Sequence, residues 1–369
     1  MKKALRYILT LVTSLLVFAG CDVHEFPEET SQELVPFMLH IDFNTDMPLH
    51  KEVTYTRSGD IETKAVSDRH DMRYIVKAYR TGKTRSESRN PDATFVFTQP
   101  DLNNLNYSVP LQLPEGTYNF QVWADYVTAG TTEDKYYDTR DFAEIILANR
   151  NNHPGSNDYR DAFRGYASGT VTNPNYYVGD ATNNIVNEAT AYMQRPMGKF
   201  KFISTDVEIF LTRVVQMMKD KGMLKAPALI DFSNKVAFEN LLKEIKLNEF
   251  EVVFRYNIFM PCSFNMFADR PADSWTGMSF TSRMHTENNE EMNLGFDYIF
   301  VNGSETILSV TVEVYNKEGE LISSSKPVNV PIVRSKLTVV KGEFLTSKAT
   351  GGVSINPGFD GEDYNIEIK

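Results

Sequence analysis

From residue 34 onward the chain alternates apolar and polar positions with the period of two that marks half-buried strands. LVPFMLHIDF places Phe37, Leu39, Ile41 and Phe43 on one face, and MRYIVKAYR does the same with Tyr74, Val76 and Ala78. ATFVFTQ and YSVPLQLP follow at similar spacing. In LPEGTYNFQVWADYV a turn at Pro114, Glu115 and Gly116 precedes a strand whose one face carries Tyr118, Phe120, Val122 and Ala124. Short strands separated by turns predict an antiparallel β-sandwich.

The pattern breaks over residues 131–187, which are polar and rich in Tyr, Asn, Asp and Gly. This composition predicts long surface loops, a short helix over Asp141–Ala148 and a compact stretch over Tyr159–Tyr166. The strand in VNEATAYMQRP then leads into GKFKFIST, and a domain boundary is placed near Arg195 and Pro196. The second half opens on a strand with Phe200 and Phe202 on one face. Thr205, Asp206, Val207 and Glu208 then read as a capping box before Phe210, Leu211, Val214, Val215 and Met218 at helical spacing, with Lys221 and Gly222 as the stop. A second amphipathic stretch puts Phe232, Val236, Leu241 and Ile245 on one face. Strands resume in FEVVFRYNIFMP, where Phe254, Tyr256 and Ile258 alternate with Val253, Arg255 and Asn257. A hairpin follows, with Val310, Val312 and Val314 inward and a turn at Asn316 to Gly319. The expected organisation is a signal segment (1–20), an acidic spacer (21–33), and two tandem mainly-β sandwich domains (34–194 and 195–369), the second with a helical insertion.

The first residues carry a different message. In MKKALRYILTLVTSLLVFAGC, Lys2, Lys3 and Arg6 form a cationic stretch, Ile8 to Phe18 an apolar one, and Ala19 and Gly20 a small-residue cleavage site. Cys21 stands directly after that site, where a bacterial lipoprotein keeps the cysteine that receives diacylglycerol; Phe18 occupies the place usually held by Leu. Two or more acyl chains hold a protein stably on a membrane, so Cys21 is the expected lipidation site. The apolar run is shorter than the ~20 residues of a membrane span. The spacer DVHEFPEETSQE is acidic and poor in apolar residues.

The chain has 369 residues and a formal charge of −11, made more negative when the cationic leader is removed. An acidic surface repels nucleic acid, which is excluded as a partner class. Beyond Cys21 the only cysteine is Cys262, in an apolar run that reads as core. The six histidines are scattered singly without metal-ligand spacing, there is no nucleophile elbow and no phosphate-cradling loop, and adjacent carboxylates such as Glu290 and Glu291 read as solvated charge. No catalytic residue, metal or cofactor is expected, and the chain reads as a non-enzyme. GFDGEDYN reads as a turn, since Asp360, Glu362 and Asp363 lack the ligand ladder of a calcium loop. Among the aromatic residues, Trp123 reads as core, while Tyr136 and Tyr137, in a polar loop, are candidate ligand-binding residues able to stack on sugar rings; core packing is the other reading.

The cysteine-terminated leader, LPEGTYNFQVWADY, YRDAF at 159–163, MQRPMGKFKF and the ending LTVVKGEFLTSKATGGVSINPGFDGEDYNIEI together resemble the fimbrillin superfamily of Bacteroidota, the subunits and anchors of type V pili. That resemblance implies two transthyretin-like sandwiches, an outer-membrane lipid anchor exposed at the cell surface, and assembly with other fimbrial subunits by strand donation. In polymerising subunits of that family an arginine-directed protease removes an N-terminal segment; here Arg57, after the first predicted strand, is the position where such a cut would fall. The resemblance implies a structural or adhesive pilus component, an anchor or minor subunit. The alternative is a surface lipoprotein that binds a glycan or host ligand without polymerising.

Overall fold

The computed structural model describes residues 33–43, 52–55, 61–64, 70–82, 89–173, 186–223, 232–346 and 352–356. The first half supplies seven long strands: β1 (Leu34–Phe43), β2 (His70–Arg80), β3 (Ala93–Gln99), β4 (Tyr107–Pro114), β5 (Gly116–Thr128), β6 (Ala162–Val171) and β7 (Glu188–Met193). The second half begins with β8 (Met197–Ser204), α1 (Val207–Asp220) and α2 (Lys235–Ile245). It continues through β9 (Glu251–Tyr256), β10 (Ser279–Ser282), β11 (Met292–Phe300), β12 (Glu305–Tyr315), β13 (Leu321–Ser324), β14 (Val328–Val333), β15 (Leu337–Gly342) and β16 (Gly352–Asn356). The molecule is mostly β, as the alternation predicts.

In the first half, a sheet ordered β7-β1-β4 faces one ordered β6-β5-β2-β3. The inward residues Val35, Phe37, Leu39, Ile41 and Phe43 of β1 pack with Tyr74, Val76, Val109, Leu111, Phe120 and Val122 in one core. In the second half, β11-β8-β15-β16 faces β10-β9-β12-β13, with β14 also pairing with β12. Both halves contain a pairing that alternation cannot reveal. β1 runs antiparallel to β4 but parallel to β7, and β8 runs antiparallel to β11 but parallel to β15.

Strand β2 is buried along nearly its whole length on both faces. One face meets the first core. The other carries Arg73, Ile75 and Lys77, and it is covered by the polar segment after β5. Arg73 donates to both carboxylate oxygens of Asp125 at 2.9 and 2.7 Å and to Thr132 O at 2.8 Å, and its Nη1 lies 2.8 Å from Asp134. Lys77 donates to Arg140 O at 2.7 Å and stands 4.1 Å over the Phe142 ring. Buried cations need such partners, because an unpaired charge away from water is strongly unfavourable.

That covering segment departs from expectation. Asp141–Ala148 is not a helix: Ile145–Leu147 is a short strand, pairing with Tyr137–Asp138 on one side and with Ser263–Asn265 on the other. Ile145 and Leu147 are buried with Ile146 between them half-exposed, a period of two that helical periodicity cannot satisfy. A small sheet of 137–138, 145–147, 263–265 and 270–271 thus draws strands from both halves. In α1 the expected capping box is not formed, because Asp206 accepts instead from Ser204 Oγ at 2.5 Å and from Leu345 N at 3.3 Å. In α2 the buried residues are Phe238, Leu241 and Ile245, while Val236 points to solvent.

Ion pairs close the junction. Asp297 of β11 receives Arg160 Nη1 and the Tyr256 hydroxyl, lies 2.6 Å from His153 Nε2, and accepts from Tyr298 N at 2.8 Å. Asp161 holds Arg195 at 2.9 Å, Asp158 binds Lys199 and the Tyr298 hydroxyl, and Asp269 receives both Arg164 and Arg334 at 2.8 and 2.9 Å. Residues 153–164 therefore clamp the first half onto the second. Burial alone raises the pKa of Asp297, but the Arg160 charge, His153 and the donated hydrogen bonds outweigh it and hold the carboxyl at about 2. Since that value lies below the ~3.9 of an unfolded Asp, the contribution is present above about pH 4 and is lost as pH falls toward 2. Asp297→Asn is expected to lower unfolding free energy at pH 7 by about 3–5 kcal/mol, the usual consequence of breaking a buried pair. It should also flatten the loss of stability between pH 4 and pH 2, and denaturant unfolding at both pH values checks the two effects.

Candidate functional site

The position of β1 is the feature with the clearest functional content. It is the middle strand of its sheet, bonded to β4 over Leu34–Ile41 and to β7 over Met38–Phe43. Its five inward side chains are each no more than 5% exposed. Phe37 stacks on Phe120 with centroids 5.1 Å apart, and Phe43 meets Phe163 edge-on at 5.0 Å. On β6 the backbone passes so close that a Cβ at Gly169 would stand 2.6 Å from the Phe37 ring, which explains glycine there. Each fully buried Val, Leu, Ile or Phe contributes about 1.5–3 kcal/mol, so β1 contributes on the order of 10 kcal/mol before entropy. β1 is thus a large part of what stabilises the first half.

Arg57 lies outside the described residues, between two short strands, Glu52–Tyr55 and Ile61–Lys64, that pair antiparallel. In sequence it follows β1, so a cut there would separate β1 from everything after it. Cys21 and the expected turn at Asp360–Asp363 also lie outside the described residues.

Tyr136 and Tyr137 are placed by the folded-back segment, and not on an open loop. Tyr137 is fully buried: its hydroxyl donates to Arg160 O and its ring meets Trp123 edge-on at 5.5 Å. It cannot present a face to a sugar, which corrects the expectation for this residue. The cause is the covering of Arg73 and Lys77, whose neutralisation draws the segment onto the sheet and Tyr137 beneath it. Tyr136 is half-buried against both cores, with its hydroxyl 3.1 Å from His70 Nε2, and the His70 ring stacks 3.5 Å from Tyr159. Both tyrosines are junction residues.

Among the described residues no three His, Cys, Asp or Glu side chains come together as a metal site. Cys262 is buried, and burial, with Asp273 and Glu144 nearby, pushes its thiol up to about 12. Sequence reasoning also missed where apolar groups stay exposed. β9 stops at Tyr256, so Ile258 and Phe259, read as strand and core, stand in solvent. Asn257 and the nearby Pro261 are the signal that the strand ends there.

Tyr137→Ala is expected to cost about 3–5 kcal/mol in chemical denaturation, as large aromatic truncations in a core do. Tyr136→Ala should cost visibly less, and equal losses would contradict the burial difference between the two.

The chain is similar to a number of solved structures. One is a candidate polysaccharide-binding protein from Bacteroides thetaiotaomicron, 9% identical, covering 90% of this chain and 98% of that one at a TM-score of 0.43. Another is a candidate adhesin from the same species, 12% identical, covering 91% and 99% at 0.42. A third is the fimbrial anchor protein Mfa2 from Porphyromonas gingivalis, 9% identical, covering 90% and 100% at 0.40. Among curated proteins no relative matches. The family described as a family of unknown function (DUF6562) matches residues 33–369, from the residue before β1 through both sandwiches, and the chain belongs to that family.

Proposed function

We infer that the protein is a cell-surface lipoprotein of the fimbrillin type, an anchor or minor structural subunit of a pilus. Acylated Cys21 ties it to the outer membrane, and other subunits join it by β-strand complementation. The observation that carries this reading is the β1 slot: a central strand, bonded on both edges, that belongs to the N-terminal end of the chain and precedes Arg57. A chain that keeps β1 has a complete first sandwich and stays where its leader puts it. A chain that loses β1 exposes two strand edges and an apolar groove, which only another extended segment can fill. One sequence thereby admits two states, a closed anchor and an open acceptor, separated by one peptide bond near Arg57. The second reading, a glycan-binding lipoprotein, is weakened by the burial of Tyr137.

For an anchor, protein extracted from cell envelopes should yield an acylated N-terminal Cys21 peptide and a chain intact across Arg57 by mass spectrometry. Cys21→Ala should move the protein into the soluble fraction, and the wild type should co-purify with sheared surface fibres. A chain found uncoupled from both lipid and fibres sinks the reading, and a chain cut at Arg57 within the fibres makes it a polymerising subunit. The slot is checked separately: the chain lacking residues 21–57 should regain cooperative unfolding when a synthetic peptide of residues 34–43 is supplied, and a peptide with Phe37 and Leu39 changed to Asp should not restore it.

A further inference from the structure

Strand β9 ends before its partner does. Asn257 N still donates to Ser309 O at 2.9 Å, but the ladder between β9 and β12 stops at the Tyr256/Val310 pair, and the chain turns away through Ile258 and Phe259. On its other side β12 continues to pair with β14 back to Glu305. The aim of the backbone groups along this stretch follows from the alternation of an antiparallel ladder. Ser309 faces β9, while Val312 faces the opposite side, exchanging bonds with Ser325. Glu305 and Ile307 share the parity of Ser309, so their N–H and C=O groups point to the side that β9 has vacated, where no strand among the described residues pairs with them. Pro331 of β14 stands opposite Ile307. A residue without an N–H is tolerated there because Ile307 turns its own backbone groups the other way.

The vacated side is a cleft of about 830 Å³, within the size range of ligand sites. Phe259, Ile307 and Ile258, which line it, are 66%, 56% and 44% exposed. Arg270, Asp273 and Glu305 stand among the residues around them. An exposed apolar cluster with a polar rim marks an interaction site, since a monomer gains nothing by leaving such groups in water.

The geometry points to a strand-addition site on the second half: an extended segment of a partner polypeptide lies along Glu305–Ile307, exchanges backbone hydrogen bonds with those two residues, and seats bulky apolar side chains on Ile258 and Phe259. The open backbone edge selects a polypeptide over a sugar or a lipid, because an extended chain repeats donors and acceptors at the spacing of the strand it joins. The apolar floor selects large side chains two residues apart, the period at which a strand returns to one face. This edge is separate from the β1 slot and does not depend on lipidation or on cleavage at Arg57. A subunit with a complete first sandwich therefore still has a place to receive another chain.

The test uses the whole mature chain against a display library of short random peptides, with binding of enriched sequences measured by fluorescence polarisation. Enriched peptides are expected to carry large apolar residues at positions i and i+2. Binding should fall about tenfold or more in Phe259→Asp, as for a central aromatic anchor. It should fall similarly in Ile307→Pro, which removes the outward N–H together with the Ile307 side chain, and on N-methylation of alternate peptide amides, which blocks the backbone bonds and leaves the apolar side chains in place. Circular dichroism and unfolding curves of both variants separate lost binding from lost fold, and Phe259, being exposed, leaves the core untouched when replaced. Failure of any peptide to enrich overturns the proposal, as does undiminished binding to Phe259→Asp or of N-methylated peptides. Binding on a glycan array that is lost in Phe259→Asp, with no peptide binding, would assign the cleft to carbohydrate instead. None of these outcomes bears on the β1 slot, whose test is peptide complementation of the truncated chain.

Discussion

The first strand of each half is bonded in parallel to a strand from the end of that half: β1 to β7 and β8 to β15. A parallel neighbour requires the chain to travel the whole way round before the pair can form. Neither sheet is complete until nearly the last strand of its half has arrived, and each sandwich closes with long-range contacts that carry a high loop-closure cost. Everything else in the architecture follows from that closure. The strands between pair antiparallel, β2 with β3 and β12 with β13 as hairpins and others across the sandwich order, such as β2 with β5 and β9 with β12, and the connections are left to cover the outer faces.

The two halves use the same plan with different consequences. β8 lies mid-chain, between a strand that precedes it and a helix that follows, and nothing can remove it without cutting the protein in two. β1 lies at the entry to the fold, followed by a stretch that contains Arg57. Its contribution of about 10 kcal/mol before entropy is comparable to the whole net stability of a domain, about 5–15 kcal/mol. On the proposed function the slot is therefore a two-state element: filled, the first half is stable; empty, it presents an unsatisfied groove. The junction adds a second constraint. Asp158, Asp161 and Arg160, from YRDAF and its preceding turn, hold Lys199, Arg195 and Asp297, so short motifs that carry the sequence resemblance supply ion pairs that fasten one sandwich to the other.

Alternation made most strands legible, because β1, β4 and the start of β5 have one face in a core and one in solvent. It said little about β2, whose polar face is buried under residues 131–148: Arg73 and Lys77 look like surface residues until Asp125, Asp134 and backbone carbonyls are brought over them. Those partners come from other parts of the chain, and no local pattern records them. The same tertiary covering turned the expected helix over Asp141–Ala148 into a turn followed by the short strand Ile145–Leu147 and took Tyr137 out of solvent. The open edge at Ile307 was illegible for the converse reason. Periodicity assigns a face to each side chain but does not say which neighbouring strand stops first.

Position in the chain also decides how the protein would bear tension. On the proposed function, force from the membrane reaches the fold through the spacer of residues 21–33 and enters at Leu34, the first residue of β1. β1 is bonded along both edges, so a pull along its axis loads both ladders in shear, and their hydrogen bonds must yield together and not one by one. The apolar row from Val35 to Phe43 must slide out of the core in the same motion, with Phe37 leaving Phe120 and Phe43 leaving Phe163. Resistance of this kind is a matter of unfolding rate, which is set by how much of the structure must open before the strand is free. An edge strand pulled from one end would peel at far lower force. Placing a fully enclosed strand directly after the tether is thus the arrangement that lets an anchor hold a fibre, and it is the same enclosure that makes loss of β1 so decisive for the first half.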